Sequence, residues 1–233
     1  MSIETKTRPL PTAFTTPDRV AGYWRWTWSS STTPPAGANL GIAFSGWTDV
    51  DEALSNSRNV EAGLEGEKFI CFGGGNASGA FTADSLIAIT EAINADKLAD
   101  YSGIAYDVEE YSGDLRDDFA ASFAAAKAKG FDVLVTISHS APYGAPDQAN
   151  AQAQMEAFFE DGNIDVLSPQ LYTTGQEAAN DYATTYGVEW SEFAAAKAAI
   201  CPSLVDATYY ESAVEYFAGQ GVNLRGFIQW SQG

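Results

Sequence analysis

Asp100-Tyr-Ser-Gly-Ile-Ala-Tyr-Asp-Val-Glu-Glu-Tyr111 decides how the rest of the chain reads. An apolar strand, Ile104 to Val108, runs into acid at Asp107, Glu109 and Glu110. Successive side chains on a strand alternate faces, so Asp107 and Glu109 share one face and Glu110 takes the other. Two carboxylates on one face at the carboxyl end of a buried strand stand where a parallel α/β barrel keeps its chemistry. By themselves the same residues also fit a strand whose end simply reaches water.

Working outward, short apolar strands alternate with helical spacing on both sides of this stretch. Strands are expected at Val20–Trp28, Leu40–Phe44 and Lys68–Phe72 before it, and at Phe131–Ile137, Ile164–Tyr172, Ala199–Leu204 and Leu224–Trp230 after it. Helices are expected near 50–64, 83–99, 114–129, 146–160 and 209–219, with helical stretches within 176–197. Eight strands alternating with helices are the arithmetic of a closed (β/α)8 TIM barrel of class α/β. The competing open doubly wound sheet needs a G-x-G-x-x-G turn after its first strand, which is absent. Residues 1–18, polar and with three prolines, read as an N-terminal arm, and 19–233 as one barrel domain with some helices short or missing.

The chain of 233 residues carries a formal charge of −19, which argues against nucleic acid or an anionic membrane as partner. No apolar run approaches a membrane span, and Met1–Pro9 lacks the apolar core of a secretory signal. A cytoplasmic or unconventionally secreted protein is therefore expected. Cys71 and Cys201 fall in separate buried strands and read as free thiols. His139 is the single histidine, so a histidine-cluster metal site is excluded, and no cofactor is expected.

At the carboxyl ends of the strands stand Tyr23 and Arg25, Gly73 to Asn76, Asp107 and Glu109, Ser138 to Ser140, Gln170, Tyr172 and Trp230. Aromatic faces stack on sugar rings and planar polar groups take sugar hydroxyls, so this mixture suits a carbohydrate. The pattern resembles glycoside hydrolase family 18, the chitinases and endo-N-acetylglucosaminidases, in its small hevamine-like form. That family's D-G-x-D-x-D-x-E strand is similar to Ser102-Gly-Ile-Ala-Tyr-Asp-Val-Glu109, with Ser102 and Ala105 in place of its first two aspartates. Its S-x-G-G is similar to Cys71-Phe-Gly-Gly74, its Q-x-Y to Gln170-Leu-Tyr172, and its last-strand tryptophan to Trp230. Gly22-Tyr-Trp24 fits its opening strand.

The resemblance implies substrate-assisted hydrolysis next to N-acetylglucosamine. Glu109 would be general acid and then base, Asp107 would orient the N-acetyl group, Tyr172 would donate to its oxygen, and Trp230 would floor the ring. Tyr23, Arg25, Gly74, Asn76 and Gln170 complete the expected ligand-binding set. Ala105 removes the carboxyl that would lie below Asp107, which predicts hydrolysis slower by about one to three decades. The family match turns Tyr23 inward and Arg25 with it, where Arg25 would lower the pKa of the acids. A second reading therefore stands beside the first: a non-catalytic binding protein, lectin-like or carrying a small apolar ligand or pigment. An N-acetylglucosamine oligomer or another small ligand is the expected partner, and a monomer fits the sequence.

Overall fold

The acid-bearing strand lies where the alternation predicts, as β4 of a parallel barrel. In the computed structural model, which describes residues 19–233, β4 (Gly103–Val108) is buried throughout and pairs with β3 (Glu67–Gly73) and β5 (Asp132–Ser138). The N-terminal arm expected at 1–18 lies outside the described residues. β2 (Leu40–Phe44) and β1 (Val20–Trp26) continue the sheet beyond β3, and β6 (Val166–Gln170) continues it beyond β5. β7 (Ala199–Ile200), β8 (Ser203–Leu204) and β9 (Gly226–Gln229) complete the circuit, with β9 pairing parallel to β1.

β7 and β8 are two pieces of one barrel strand, so the sheet closes with eight strand positions as a (β/α)8 barrel. The strand expected over 199–204 is interrupted because Pro202 has no N–H for the ladder, although its carbonyl still accepts from Ile228 N at 2.9 Å. Around the barrel lie α1 (Val50–Glu61), α2 (Ala83–Asn94), α3 (Arg116–Ala128), α4 (Gln148–Glu160) and α5 (Tyr210–Gly219). Asp49, Thr82 and Asp147 cap α1, α2 and α4 by accepting backbone N–H groups of the first turn.

The helical stretches expected within 176–197 reduce to a 3₁₀ segment, Trp190–Ala195. Ahead of it the Glu177 carboxylate accepts from the backbone N–H groups of Thr173 at 2.9 Å, Thr174 at 2.6 Å and Gln176 at 2.9 Å. These side-chain bonds give the backbone a looped alternative to a helix.

Inside the barrel, Trp24, Ile42, Phe69, Cys71, Ala105 and Leu134 belong to one apolar cluster, and a larger one joins the outer strand faces to the helices. Cys71 and Cys201 are buried in the inner cluster as free thiols. The expectation that Tyr23 and Arg25 face inward is overturned: the inward residues of β1 are Trp24 and Trp26. Tyr23 turns outward and its hydroxyl accepts from Glu65 N at 2.8 Å. Gly41 beside it makes the room, since a methyl group there would lie 3.0 Å from the Tyr23 hydroxyl. Trp24 inside instead donates its indole N–H to Ser203 Oγ across the barrel at 2.8 Å. No helix among the described residues is long and apolar enough to cross a membrane.

Candidate active site

Strand alternation brings Asp107 and Glu109 to the same inner face at the mouth of the barrel. Asp107 is 1% exposed and Glu109 is partly buried just above it. β6 supplies the group between them: Gln170 Nε2 donates to Asp107 Oδ1 at 3.2 Å and to Glu109 Oε1 at 3.2 Å. The two acids are also within hydrogen-bonding reach of each other, and the Gly75 backbone donates to Glu109.

Burial raises the Asp107 pKa well above the ordinary carboxylate value, and the Glu109 charge raises it further. Burial raises Glu109 as well, against the hydrogen bonds from Gln170, Asp107 and Gly75, which pull it down. Two negative charges this close in a dry site are unfavourable, so the pair holds on to a proton beyond the ordinary carboxylate range. Arg25 does not alter this balance. It lies on the outer face of β1, it forms no ion pair with either acid, and its Nη1 is buried without a partner.

The β3 turn closes tightly against the acids. Gly73 has φ +96, and a methyl group there would lie 2.3 Å from the Asp107 carbonyl oxygen. Gly74 has φ +143 and lies against the Phe44 ring. Asn76 holds the turn: its Nδ2 donates to Gly46 O at 3.1 Å and its Oδ1 accepts from Ser78 N at 2.9 Å. Its amide is thus engaged with the backbone, which is a structural use of a residue expected to bind ligand. The single histidine, His139, has φ +49 and ties the end of β5 to Asp181 at 3.2 Å.

Across the mouth, β6 and β9 supply an aromatic floor. The Tyr172 and Trp230 rings stack with centroids 5.6 Å apart and planes at 28°. The buried Tyr172 hydroxyl pairs with Ser203 Oγ at 3.2 Å. Trp230 also packs on Trp26 at 4.9 Å and on Phe44 at 5.5 Å. Beneath the acids, Ala105 is fully buried beside Cys71 of β3 and Leu134 of β5. Among the described residues, no carboxyl takes the place below Asp107.

The fold therefore brings together Asp107, Glu109, Gln170, Tyr172, Trp230 and Gly74, and leaves Tyr23 and Arg25 outside. Two residues at the mouth were not singled out from the sequence, Trp26 and Tyr143. Trp26 follows from assigning the inward face of β1 correctly. Tyr143 donates its hydroxyl to Glu110 Oε1 at 2.5 Å, and its only sequence signal is a place in the loop after the fifth strand. Among the described residues, no group of three or more His, Cys, Asp or Glu is placed to hold a metal ion.

No family model matches the chain, and no curated protein matches its sequence. Solved structures do resemble it. Active domain 2 of a chitinase from Pyrococcus furiosus superposes with TM-score 0.53 at 12% identity, covering 92% of this chain and 84% of that one. The spore cortex-lytic enzyme SleL from Bacillus megaterium superposes with TM-score 0.53 at 10% identity, covering 93% and 72%. SleL from Bacillus cereus gives 0.52 at 13% identity, covering 92% and 72%. The chain also spans 57% of the length of a DHDPS from Cyanidioschyzon merolae, with TM-score 0.43. At these identities the likeness establishes the barrel fold.

Proposed function

We propose that the protein hydrolyses glycans containing N-acetylglucosamine, with the substrate's own acetamido group as nucleophile. The observation that carries this is the buried pair Asp107 and Glu109, bridged by Gln170, facing a stacked Tyr172–Trp230 floor. The structural likeness to a chitinase and to cortex-lytic enzymes agrees with a glycan-directed hydrolase. Similarity to glycoside hydrolase family 18 in the β4 motif narrows it to this mechanism.

In that mechanism the sugar to be cleaved rests on Trp230 with its acetamido group towards Asp107 and Tyr172. Glu109 gives its proton to the glycosidic oxygen as the carbon–oxygen bond breaks, and the acetamido oxygen closes on the anomeric carbon. The oxazolinium formed is positive, and a charged Asp107 beside it offsets the desolvation that otherwise disfavours that carboxylate. Glu109, now basic, takes a proton from the water that opens the ring. Gln170 keeps both carboxyls in register throughout.

One observation favours a second reading, a binding protein on the same scaffold. With Ala105 below it, Asp107 has no lower carboxyl with which to share its proton while it changes partners. Turnover of N-acetylglucosamine oligomers, followed by mass spectrometry, separates the two. Cleavage by the native protein that vanishes in Glu109→Gln supports hydrolysis. Retention of intact oligomers by both proteins from acid to neutral pH supports binding without catalysis.

A further inference from the structure

The carboxyl group of Glu109 is held between two different surroundings. Its Oε1 faces Gln170, Asp107 and the Tyr172 side of the mouth, while its Oε2 faces the β3 turn. A methyl group built on Gly75 would lie 2.8 Å from Glu109 Oε2 and 3.1 Å from the Tyr143 hydroxyl, so both oxygens border one small space that only glycine leaves open. Tyr143 is 46% exposed, yet its backbone is fixed on three sides. Its N–H donates to Ser138 Oγ at 2.9 Å, its carbonyl accepts from the Tyr186 hydroxyl at 3.0 Å, and Gly144 N donates to Glu109 O at 2.9 Å. The Tyr143 proton is committed to Glu110, which leaves a lone pair of the phenolic oxygen as an acceptor beside Glu109 Oε2.

We infer that Tyr143, held by Glu110, is the specificity-determining contact for the sugar on the leaving-group side of Glu109. The inference rests on the hydrolase reading above. The leaving oxygen lies between two sugar units. With one unit over Trp230 and Tyr172, the next extends past Glu109 Oε2 to Tyr143. There the exposed ring supplies a stacking face and the phenolic oxygen accepts from a sugar hydroxyl. Glu110, pointing away from the Asp107–Glu109 face, thereby acts through Tyr143 as a positioning residue.

The test compares unsubstituted N-acetylglucosamine oligomers with a 4-nitrophenyl glycoside whose aryl leaving group offers no hydroxyl. Tyr143→Phe keeps the ring and removes the acceptor. It is expected to lower kcat/KM on oligomers about tenfold, roughly the effect of one hydrogen bond, and to leave the aryl glycoside unchanged within about twofold. Tyr143→Ala is expected to weaken both substrates, with an unchanged thermal midpoint as the folding control. If the ratio of the two substrates is the same in Tyr143→Phe as in the native protein, the inference is overturned and the hydrolase reading stands. Should the native protein bind without cleaving, the hydrolase reading fails, and the same ratio taken on dissociation constants decides the Tyr143 contact alone: a ratio shifted in Tyr143→Phe supports it and an unchanged ratio overturns it. Failure of the native protein to bind or cleave either substrate overturns the proposed function and this inference together.

Discussion

The barrel carries a pair of close acids at each end, and they are stabilised in opposite ways. At the amino-terminal end, Asp165 pairs with Lys127 at 2.7 Å and Asp132 stands 3.7 Å from the same ammonium. Asp165 also accepts from Val133 N at 2.8 Å, fixing β5 and β6 together. At the mouth, Asp107 and Glu109 have an amide from Gln170 and, among the described residues, no ion pair, and burial holds both pKa values up, so protonation rather than a cation offsets their repulsion. Lys127 clamps Asp165 through both carboxylate oxygens and stands farther from Asp132. A proton can be given to a substrate. Under the proposed function, the difference separates the end that holds the barrel together from the end that would do the chemistry.

The largest expected effect breaks the comparison at the mouth. Glu109→Gln retains the shape and the bridge to Gln170 but removes the transferable proton. Turnover is expected to fall by about a thousandfold or more, roughly 4 kcal/mol of barrier, while thermal stability holds or rises because a buried acid has been neutralised. A large loss of stability with unchanged turnover would reverse the assignment of the two ends.

Next in size is Lys127→Met, which leaves Asp132 and Asp165 without their cation. With the lysine itself partly exposed, the expected destabilisation is about 1–3 kcal/mol, read by urea unfolding, with glycan binding unchanged. A third change sharpens the contrast within the mouth. Ala105→Asp places a carboxyl below Asp107, and a hydrolase limited by its absence should gain about tenfold in kcat, roughly 1.4 kcal/mol. No gain would argue that Ala105 is not what limits turnover.

The smallest effect concerns pH. Burial, and then the Asp165 charge, push Asp132 from 3.8 to about 6. A raised carboxyl pKa means that the folded state binds its proton more tightly than the unfolded chain does. Its contribution is therefore most favourable below pH 3.8 and is lost as the pH rises to about 6. Asp132→Asn should flatten that part of the stability profile and stabilise the protein at neutral pH by about 1 kcal/mol, less than the roughly 3 kcal/mol that the rise from 3.8 to about 6 alone would give, because the neutral amide also gives up the attraction to Lys127. A profile unchanged by the substitution would count against this origin.

Much of this was legible in the chain itself. Strand and helix patterning is local, a matter of apolar period and capping residues, so the order of strands, the capped helices and the barrel follow from it. Asp107 and Glu109 share a face because alternation along a strand is geometric. What sequence did not decide depended on contacts between distant segments. Tyr23 and Trp24 are both large and aromatic, and either fits inside by pattern alone. The space beside Gly41 and the hydroxyl of Ser203, 179 positions along the chain from Trp24, select the tryptophan. The 176–197 segment has helical spacing, yet Glu177 diverts its backbone into a loop by closing bonds that no periodicity records. Tyr143 is one tyrosine in a loop until β4 and β5 lie side by side, when Glu110 and Gly75 define what its hydroxyl faces. Sequence determined most of the elements and which faces carry acid. Only the tertiary structure decided which side chains meet, because burial and hydrogen-bond partners are properties of the closed barrel rather than of any one strand.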